Sequence, residues 1–193
     1  MVALVSGVLA FLVAYLWNWA SLKKVAWGKQ VIALLGFALH GYAIYAACWG
    51  VGVDRFALPA AVSWLGWSLL PVSAILLIYS WFIELPVSKT YVKPGVGSQL
   101  VTTGTWALTR HPGVLWYALG LIALLLATRS TVLLICVPVW IVMNIIYGVM
   151  EDVYFFPRMF PDYPQYKQQT PMLIPTRRSI AACLKTLRAK EAL

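Results

Sequence analysis

The chain has 193 residues, of which 62% are apolar and 11% are charged, and its mean hydropathy is +0.80. A soluble domain is nearer half apolar and a quarter charged, so the composition excludes an ordinary soluble domain and indicates one compact membrane domain. The net charge of +9 does not indicate nucleic-acid binding, because a surplus of Lys and Arg in cytoplasmic loops explains it in a chain this apolar.

Five apolar stretches are candidates for membrane-spanning helices, each of which needs roughly 20 residues. The fourth stretch is short, and the motif ATRST after it leaves room only for a tight turn, so the fourth and fifth form a helical hairpin. The three cysteines contain no CxxC pair, which predicts neither a disulfide framework nor a metal site. The sequence therefore predicts an all-α, polytopic membrane protein with spans at about Val2–Leu22, Gln30–Val51, Leu58–Ile83, Gly113–Ala127 and Thr131–Met150.

The basic residues are divided unequally between the two ends of these spans. With the N-terminus outside and the C-terminus inside, thirteen of the fifteen Lys and Arg residues lie in the cytoplasm, and only Arg55 and Arg129 lie outside. The positive-inside rule favours this orientation. We therefore expect an integral protein of the cell inner membrane, with its polar site on the cytoplasmic side.

The chain reads as a single membrane domain, 1–193, in three parts. Residues 1–83 form three N-terminal spans, and residues 84–176 form a loop, the hairpin and a proline-rich segment. The tail, 177–193, has a basic amphipathic pattern that is typical of a helix on the membrane surface, although a frayed, solvated tail remains an equal alternative. The prolines of the middle part exclude one long helix and leave either a rigid cap on the hairpin or an extended linker; they are Pro161, Pro164, Pro171 and Pro175.

Two polar groups of residues lie at the cytoplasmic end of the hairpin. The triplet Arg110-His111-Pro112 opens the fourth span, where proline needs no amide hydrogen. The pair Glu151-Asp152 closes the fifth span, and a helix C-terminus disfavours acids, so this pair indicates a positively charged partner. Taken singly, each residue is also explained as an interfacial anchor or a solvated helix end.

A third group of residues, MFPDYPQYKQQTPMLIPT, places two tyrosines three residues apart. In this order and spacing, the groups resemble those of the integral-membrane methyltransferases, the superfamily of isoprenylcysteine carboxyl methyltransferase and phospholipid N-methyltransferase. The resemblance covers about Gly104 to Thr176. It is carried by Gly104, Arg110-His111-Pro112, Glu151-Asp152, Tyr163, Tyr166, Pro171 and Ile174-Pro175.

The resemblance implies a cytoplasmic pocket for S-adenosylmethionine beneath a C-terminal cap, with a lipophilic or small acceptor entering from the bilayer and membrane lipid around it. Arg110 and Glu151 are the catalytic residues that it implies. The cofactor-binding residues that it implies are Gly104, His111, Pro112, Glu151, Asp152, Tyr163 and Tyr166.

The sequence departs from the family at Val114, at Trp116 and at Tyr147, where carboxyl methyltransferases carry an arginine. A thiol, amine or phenol acceptor therefore fits at least as well as a carboxylate. Two other interpretations stay open: an NADPH-dependent membrane reductase of sterol-reductase-like architecture, and a non-catalytic membrane binding module. Of the other polar residues within spans, His40 is expected to bond to a neighbouring helix and Asn144 to line the pocket.

Overall fold

The computed structural model describes residues 1–85 and 100–191, without the side chains of residues 26, 27 and 189–191. Most of the loop predicted before the hairpin, residues 86–99, lies outside this part, as do residues 192–193. Most of the described chain is helical, and none of it forms a β-strand. Its helices are α1 Val2–Leu22, α2 Ala26–Trp49, α3 Ala60–Ile78, α4 Thr105–Leu108, α5 Pro112–Thr128, α6 Thr131–Met150, α7 Phe156–Met159, α8 Tyr163–Gln169 and α9 Arg177–Glu191.

Four helical stretches are long and apolar enough to cross a membrane. They are Val2–Leu22, Gly28–Trp49, Ala60–Ile83 and Thr131–Met159, while α5 is apolar but has only 17 residues. The third stretch is α3 extended by the π-helical turn Tyr79–Ile83. The prediction of an all-α, polytopic membrane protein is confirmed, and the short fourth span is the one that the sequence marked as short.

The transmembrane helices pack in two groups that meet in the hairpin of α5 and α6. Helix α1 packs on α2 and on α6, and α3 packs along α5. Small residues permit this close approach, as is common between helices in a bilayer. A methyl group on Gly66 of α3 would lie 2.5 Å from the backbone nitrogen of Ala127, and one on Gly7 of α1 would lie 2.1 Å from Nε1 of Trp140.

The acid pair does not lie at a free helix end. Helix α6 stops at Met150 as predicted, but the chain continues through the π-helical turn Glu151–Phe155 directly into α7. The expectation that these acids close a helix C-terminus is therefore wrong, because the helix carries on past them. Single π-helical turns inside α-helices occur frequently at functional sites.

The proline-rich segment folds as a cap and not as an extended linker. It contains the short helices α7 and α8, and beyond them the carbonyls of Pro171 and Met172 accept hydrogen bonds from the backbone nitrogens of Arg110 and His111, at 2.9 and 3.2 Å. The cap is thus joined to the first residues of the hairpin. The tail forms α9, which packs on α4 and buries Cys183, while Ile180 and Leu184 stay 44% and 52% exposed.

Candidate functional site

Asp152 is the centre of a buried ionic cluster. Its Oδ1 lies 2.7 Å from Nε of Arg110 and its Oδ2 lies 3.2 Å from Nη2, which makes the pair bidentate. Lys167 Nζ lies 2.7 Å from Oδ2, and the Tyr163 hydroxyl donates to Oδ1 at 2.6 Å. Both oxygens of Asp152 are therefore occupied by the protein's own donors, so this carboxylate joins the hairpin to α8.

Arg110 extends this cluster into the cap. Its Nη1 donates to the carbonyl of Thr170 and, at 3.2 Å, to the carbonyl of Lys167. The residue is 7% exposed, and a buried guanidinium must have its donors satisfied. Every hydrogen bond of the Arg110 side chain that the structure shows goes to Asp152 or to a carbonyl of the cap.

Glu151 points the other way, towards α1. Its Oε1 accepts a hydrogen bond of 3.0 Å from Nδ2 of Asn18, which also donates to the Tyr147 hydroxyl at 2.9 Å. Its Oε2 lies 3.4 Å from Nδ1 of His111. The two neighbouring acids point in different directions, so that Asp152 is bound within the cap and Glu151 faces the transmembrane helices.

His111 lies between the two acids, immediately before α5. Its Nε2 is 3.8 Å from Oδ1 of Asp152, and its ring stacks on Phe156 with 5.7 Å between centroids. Burial opposes protonation, but Asp152 and Glu151 outweigh it and raise the pKa of His111 above its ordinary value. With neutral His111 the cluster of two acids, Arg110 and Lys167 has no net charge, and protonation of His111 gives it one positive charge.

The two predicted tyrosines have different neighbours. Burial, with the nearby Asp152 carboxylate, raises the pKa of Tyr163, which keeps its hydroxyl a neutral donor. Tyr166 donates to the carbonyl of Trp106 at 2.5 Å and borders a polar cleft of about 750 Å³ between α8 and α9. Other polar residues of this cleft are Thr102, Asp162, Gln165, Gln169, Thr170, Arg178 and Thr186.

Gly104 belongs to a separate network. It has φ +63°, and a methyl group there would lie 1.5 Å from Oε1 of Glu84. The buried Glu84 carboxylate accepts from the backbone nitrogen of Thr105 at 3.0 Å and also from the Thr105 hydroxyl. The nitrogen of Gly104 donates to the Thr186 hydroxyl at 2.9 Å. Because Gly104 has no side chain, the Glu84 carboxylate can reach Thr105 at the start of α4. The hydrogen bond from Gly104 to Thr186 joins the start of α4 to α9.

A cavity of about 530 Å³ extends from Glu151 into the transmembrane helices. Its volume is within the range of small-molecule sites, roughly 300–1,000 Å³. Aromatic and aliphatic side chains form most of its wall, and Asn144 and Tyr147 stand beside Glu151 at the polar end. The prediction that Asn144 lines a pocket is confirmed.

The structure brings most of the predicted residues together. Arg110, His111, Glu151, Asp152 and Tyr163 form one cluster, and Pro112 begins α5 directly behind it. Gly104 and Tyr166 lie in neighbouring networks.

Sequence reasoning missed three contributors: Asn18, Lys167 and Glu84. Asn18 is fully buried, and a lone amide in an apolar span with few other polar groups was a signal that was available. Lys167 and Glu84 are distant in sequence from their partners Asp152 and Thr105, so no local pattern could have found them.

No protein-family model, curated protein or solved structure matches this chain.

Proposed function

We propose that the protein is an integral-membrane methyltransferase that uses S-adenosylmethionine to methylate a lipophilic acceptor. The observation that carries this proposal is the cavity itself, in which a buried carboxylate, Glu151, stands at one end of a mostly aromatic and aliphatic chamber among transmembrane helices. Such a site suits a polar, positively charged cofactor at one end and an apolar molecule along the rest.

Unpaired polar atoms of two residues that contact Glu151 support a polar ligand. Nε2 of His111 and Oδ1 of Asn18 are buried and have no hydrogen-bond partner within the described parts of the chain. Roughly 90% or more of buried polar groups in proteins are bonded. The donor set therefore fits a molecule that carries both donors and acceptors, as the amino-acid and ribose groups of S-adenosylmethionine do.

Different residues would bind different chemical groups of such a cofactor. Glu151 suits its ammonium or ribose hydroxyls, and protonated His111 suits its carboxylate. Phe156 and Phe160 line the cavity, and aromatic faces attract a sulfonium as they attract other cations. When bound, the cofactor supplies an activated methyl group.

Arg110 contributes by position in this proposal. Since its guanidinium is bound to Asp152 and to the cap, it fixes the position of the cap relative to the acid pair. Holding reactants in the correct geometry supplies much of the rate enhancement in a direct displacement.

The acceptor occupies the apolar part of the cavity. The wall that the structure describes carries one carboxylate and neither Lys nor Arg. An ionised carboxylate acceptor would contact no cation of that wall, and burying an unpaired charge is costly; the buried ammonium of Lys29 lies over the ring of Trp17 instead, 4.9 Å from its centroid. A thiol, amine or phenol on a lipid is therefore the acceptor that we propose.

The same proposal places the protein in the cell inner membrane, with the N-terminus outside and the cap in the cytoplasm. Thirteen of the fifteen basic residues then lie inside. At the opposite end, Arg55 donates to the carbonyls of Thr128 and Cys48, at 2.7 and 2.5 Å, so its charge is held by the protein.

Titration calorimetry of the purified protein in detergent tests the proposed cofactor. We expect S-adenosylmethionine and its demethylated product to bind with micromolar affinity. Heat from NADPH with none from either compound would replace this proposal by a membrane reductase, and no heat from any of the three would favour a non-catalytic binding module.

A further inference from the structure

A second polar feature lies deep in the cavity, away from Glu151. His40 of α2 and Tyr117 of α5 both line the cavity wall, and Nε2 of His40 lies 2.8 Å from the Tyr117 hydroxyl. The sequence-based expectation that His40 bonds to a neighbouring helix is confirmed. Phe11 and Trp140 pack against the imidazole, with 5.7 and 5.8 Å between ring centroids. Ionisable groups at this depth are expensive and mark functional sites by default.

The depth of the pair follows from α1. Asn18 of α1 bonds to Glu151, and Phe11, seven residues earlier on the same helix, contacts His40. At 1.5 Å per residue this separation is about 10 Å along the helix axis. Polar groups therefore lie at two levels of the cavity, Glu151 at one and the His40–Tyr117 pair at the other, about 10 Å apart with apolar side chains between them.

The hydrogen-bond inventory of the pair leaves one donor without a partner. A neutral imidazole carries one N–H and a phenol carries one O–H, and only one of these two hydrogens is used in the bond between them. Neither side chain makes another hydrogen bond within the described residues. In either tautomer of His40, one hydrogen is thus available for an acceptor atom inside a cavity whose wall is mostly aromatic and aliphatic.

We propose that the His40–Tyr117 pair is a recognition site for a hydrogen-bond-accepting oxygen on the lipophilic acceptor. The acceptor is then an amphipathic lipid with a carbonyl, ether or hydroxyl oxygen about 10 Å from the atom that receives the methyl group. This assignment of the deep end of the cavity to the acceptor rests on the proposed function. A hydrocarbon chain without such an oxygen would leave the buried donor unpaired, which is how a polar site rejects the wrong ligand.

A matched pair of probes, 2-dodecanone and dodecane, tests the site by thermal unfolding of the protein in detergent. We expect the ketone to bind the parent protein about three- to tenfold more tightly than the hydrocarbon, the value of one net hydrogen bond. The double variant H40L/Y117F removes both hydrogens and should bind the two probes equally. Each single variant, H40L or Y117F, keeps one donor and should retain part of the preference.

Two controls separate this inference from other causes. Tyr45→Phe alters an exposed residue of α2 outside the cavity and should keep the full preference for the ketone. Replacing both members of a hydrogen-bonded pair by apolar groups is less costly than leaving one of them unpaired, so the double variant should still fold, and its unfolding temperature without probe is the reference for both probes. An equal preference in the parent and the double variant would show mere partitioning of the ketone and would overturn the inference.

Calorimetry with S-adenosylmethionine distinguishes this failure from failure of the proposed function. The double variant should bind the cofactor within about twofold of the parent, because Phe11, which contacts His40, and Asn18, which bonds to Glu151, are about 10 Å apart along α1. Cofactor binding without ketone preference would reject the acceptor site alone. Ketone preference without cofactor binding would keep the pair as a lipid-recognition site and reject the methyltransferase.

Discussion

At the scale of single residues, the two adjacent acids of the hairpin differ in what they contact. Asp152 binds Arg110, Lys167 and Tyr163, whereas Glu151 binds Asn18 and faces the cavity. The sequence could show only that two acids stand together in a chain with six acids. Which acid contacts the cap and which faces the cavity is set by packing against the distant helices α8 and α1, which no sequence pattern revealed.

Substitution of each acid by its amide should separate stability from cofactor binding. Asp152→Asn leaves the buried Arg110 without its anionic partner, and we expect a loss of about 3–5 kcal/mol in the free energy of unfolding. Glu151→Gln keeps the shape and should weaken S-adenosylmethionine binding roughly ten- to a hundredfold with a much smaller loss of stability. Thermal unfolding and calorimetry measure the two effects, with Asp54→Asn in an exposed loop as control. Equal effects of the two amide variants on cofactor binding would contradict this division.

His111 should make the stability of the protein depend on pH. Its pKa is raised in the folded protein by Asp152 and Glu151, so the stabilisation is complete below the unfolded value of about 6.5 and is lost as the pH rises through the folded pKa. The melting temperatures of the parent and of His111→Gln should therefore differ most at about pH 5.5 and converge at alkaline pH. A difference that stays constant across this range would show that the acids do not act on the imidazole.

At the scale of elements, the helices were the most predictable feature and their junctions the least. The long apolar runs of α1 and α6 gave bounds that the structure reproduces, Val2–Leu22 and Thr131–Met150, because a bilayer span needs a continuous apolar stretch. The π-helical turns at Tyr79–Ile83 and Glu151–Phe155 contain Ser80, Glu151 and Asp152, whose partners are distant in the sequence, and such contacts leave no periodic signal.

Gly104, which precedes α4, should not tolerate a side chain, because its backbone has a positive φ and it packs directly against Glu84. With φ +63° and Glu84 Oε1 only 1.5 Å from an added methyl group, Gly104→Ala must strain the backbone, at about 1–3 kcal/mol, and displace the Glu84 carboxylate from Thr105. We expect a lower melting temperature and faster proteolysis of α9, which Gly104 binds through Thr186.

Gly41→Ala is the matched control for Gly104→Ala. Gly41 lies within α2, and nothing is found within 4 Å of a methyl group added there. The substitution should leave stability unchanged or raise it by up to about 1 kcal/mol, the difference in helix propensity between the two residues. If both alanine variants behave alike, Gly104 has no special conformational role.

At the scale of the whole molecule, the site is made by helices that are far apart in the sequence. Asn18 of α1 meets Glu151, and His40 of α2 meets Tyr117 of α5. The hairpin and its motif could be found from order and spacing, since they lie within one stretch of the chain. The contribution of α1 and α2 could not, because helix packing in a bilayer depends on shape complementarity among small residues, and many apolar helices share that composition.

The division of charge between the two ends of the bundle predicts how it is inserted. The first loop and the hairpin mouth carry Lys23, Lys24 and Arg110, while the other end carries Arg55 and Arg129. Basic loops are retained in the cytoplasm, so the cap, α9 and the mouth of the cavity should all face it.

A reporter active only in the cytoplasm should give signal when it is fused after Leu193 and none when it is fused before Met1. Replacing Lys23 and Lys24 by glutamine should weaken this bias without touching the site. A silent C-terminal fusion beside an active N-terminal one would place Glu151 on the side that lacks S-adenosylmethionine, and the methyltransferase proposal would fall with the topology.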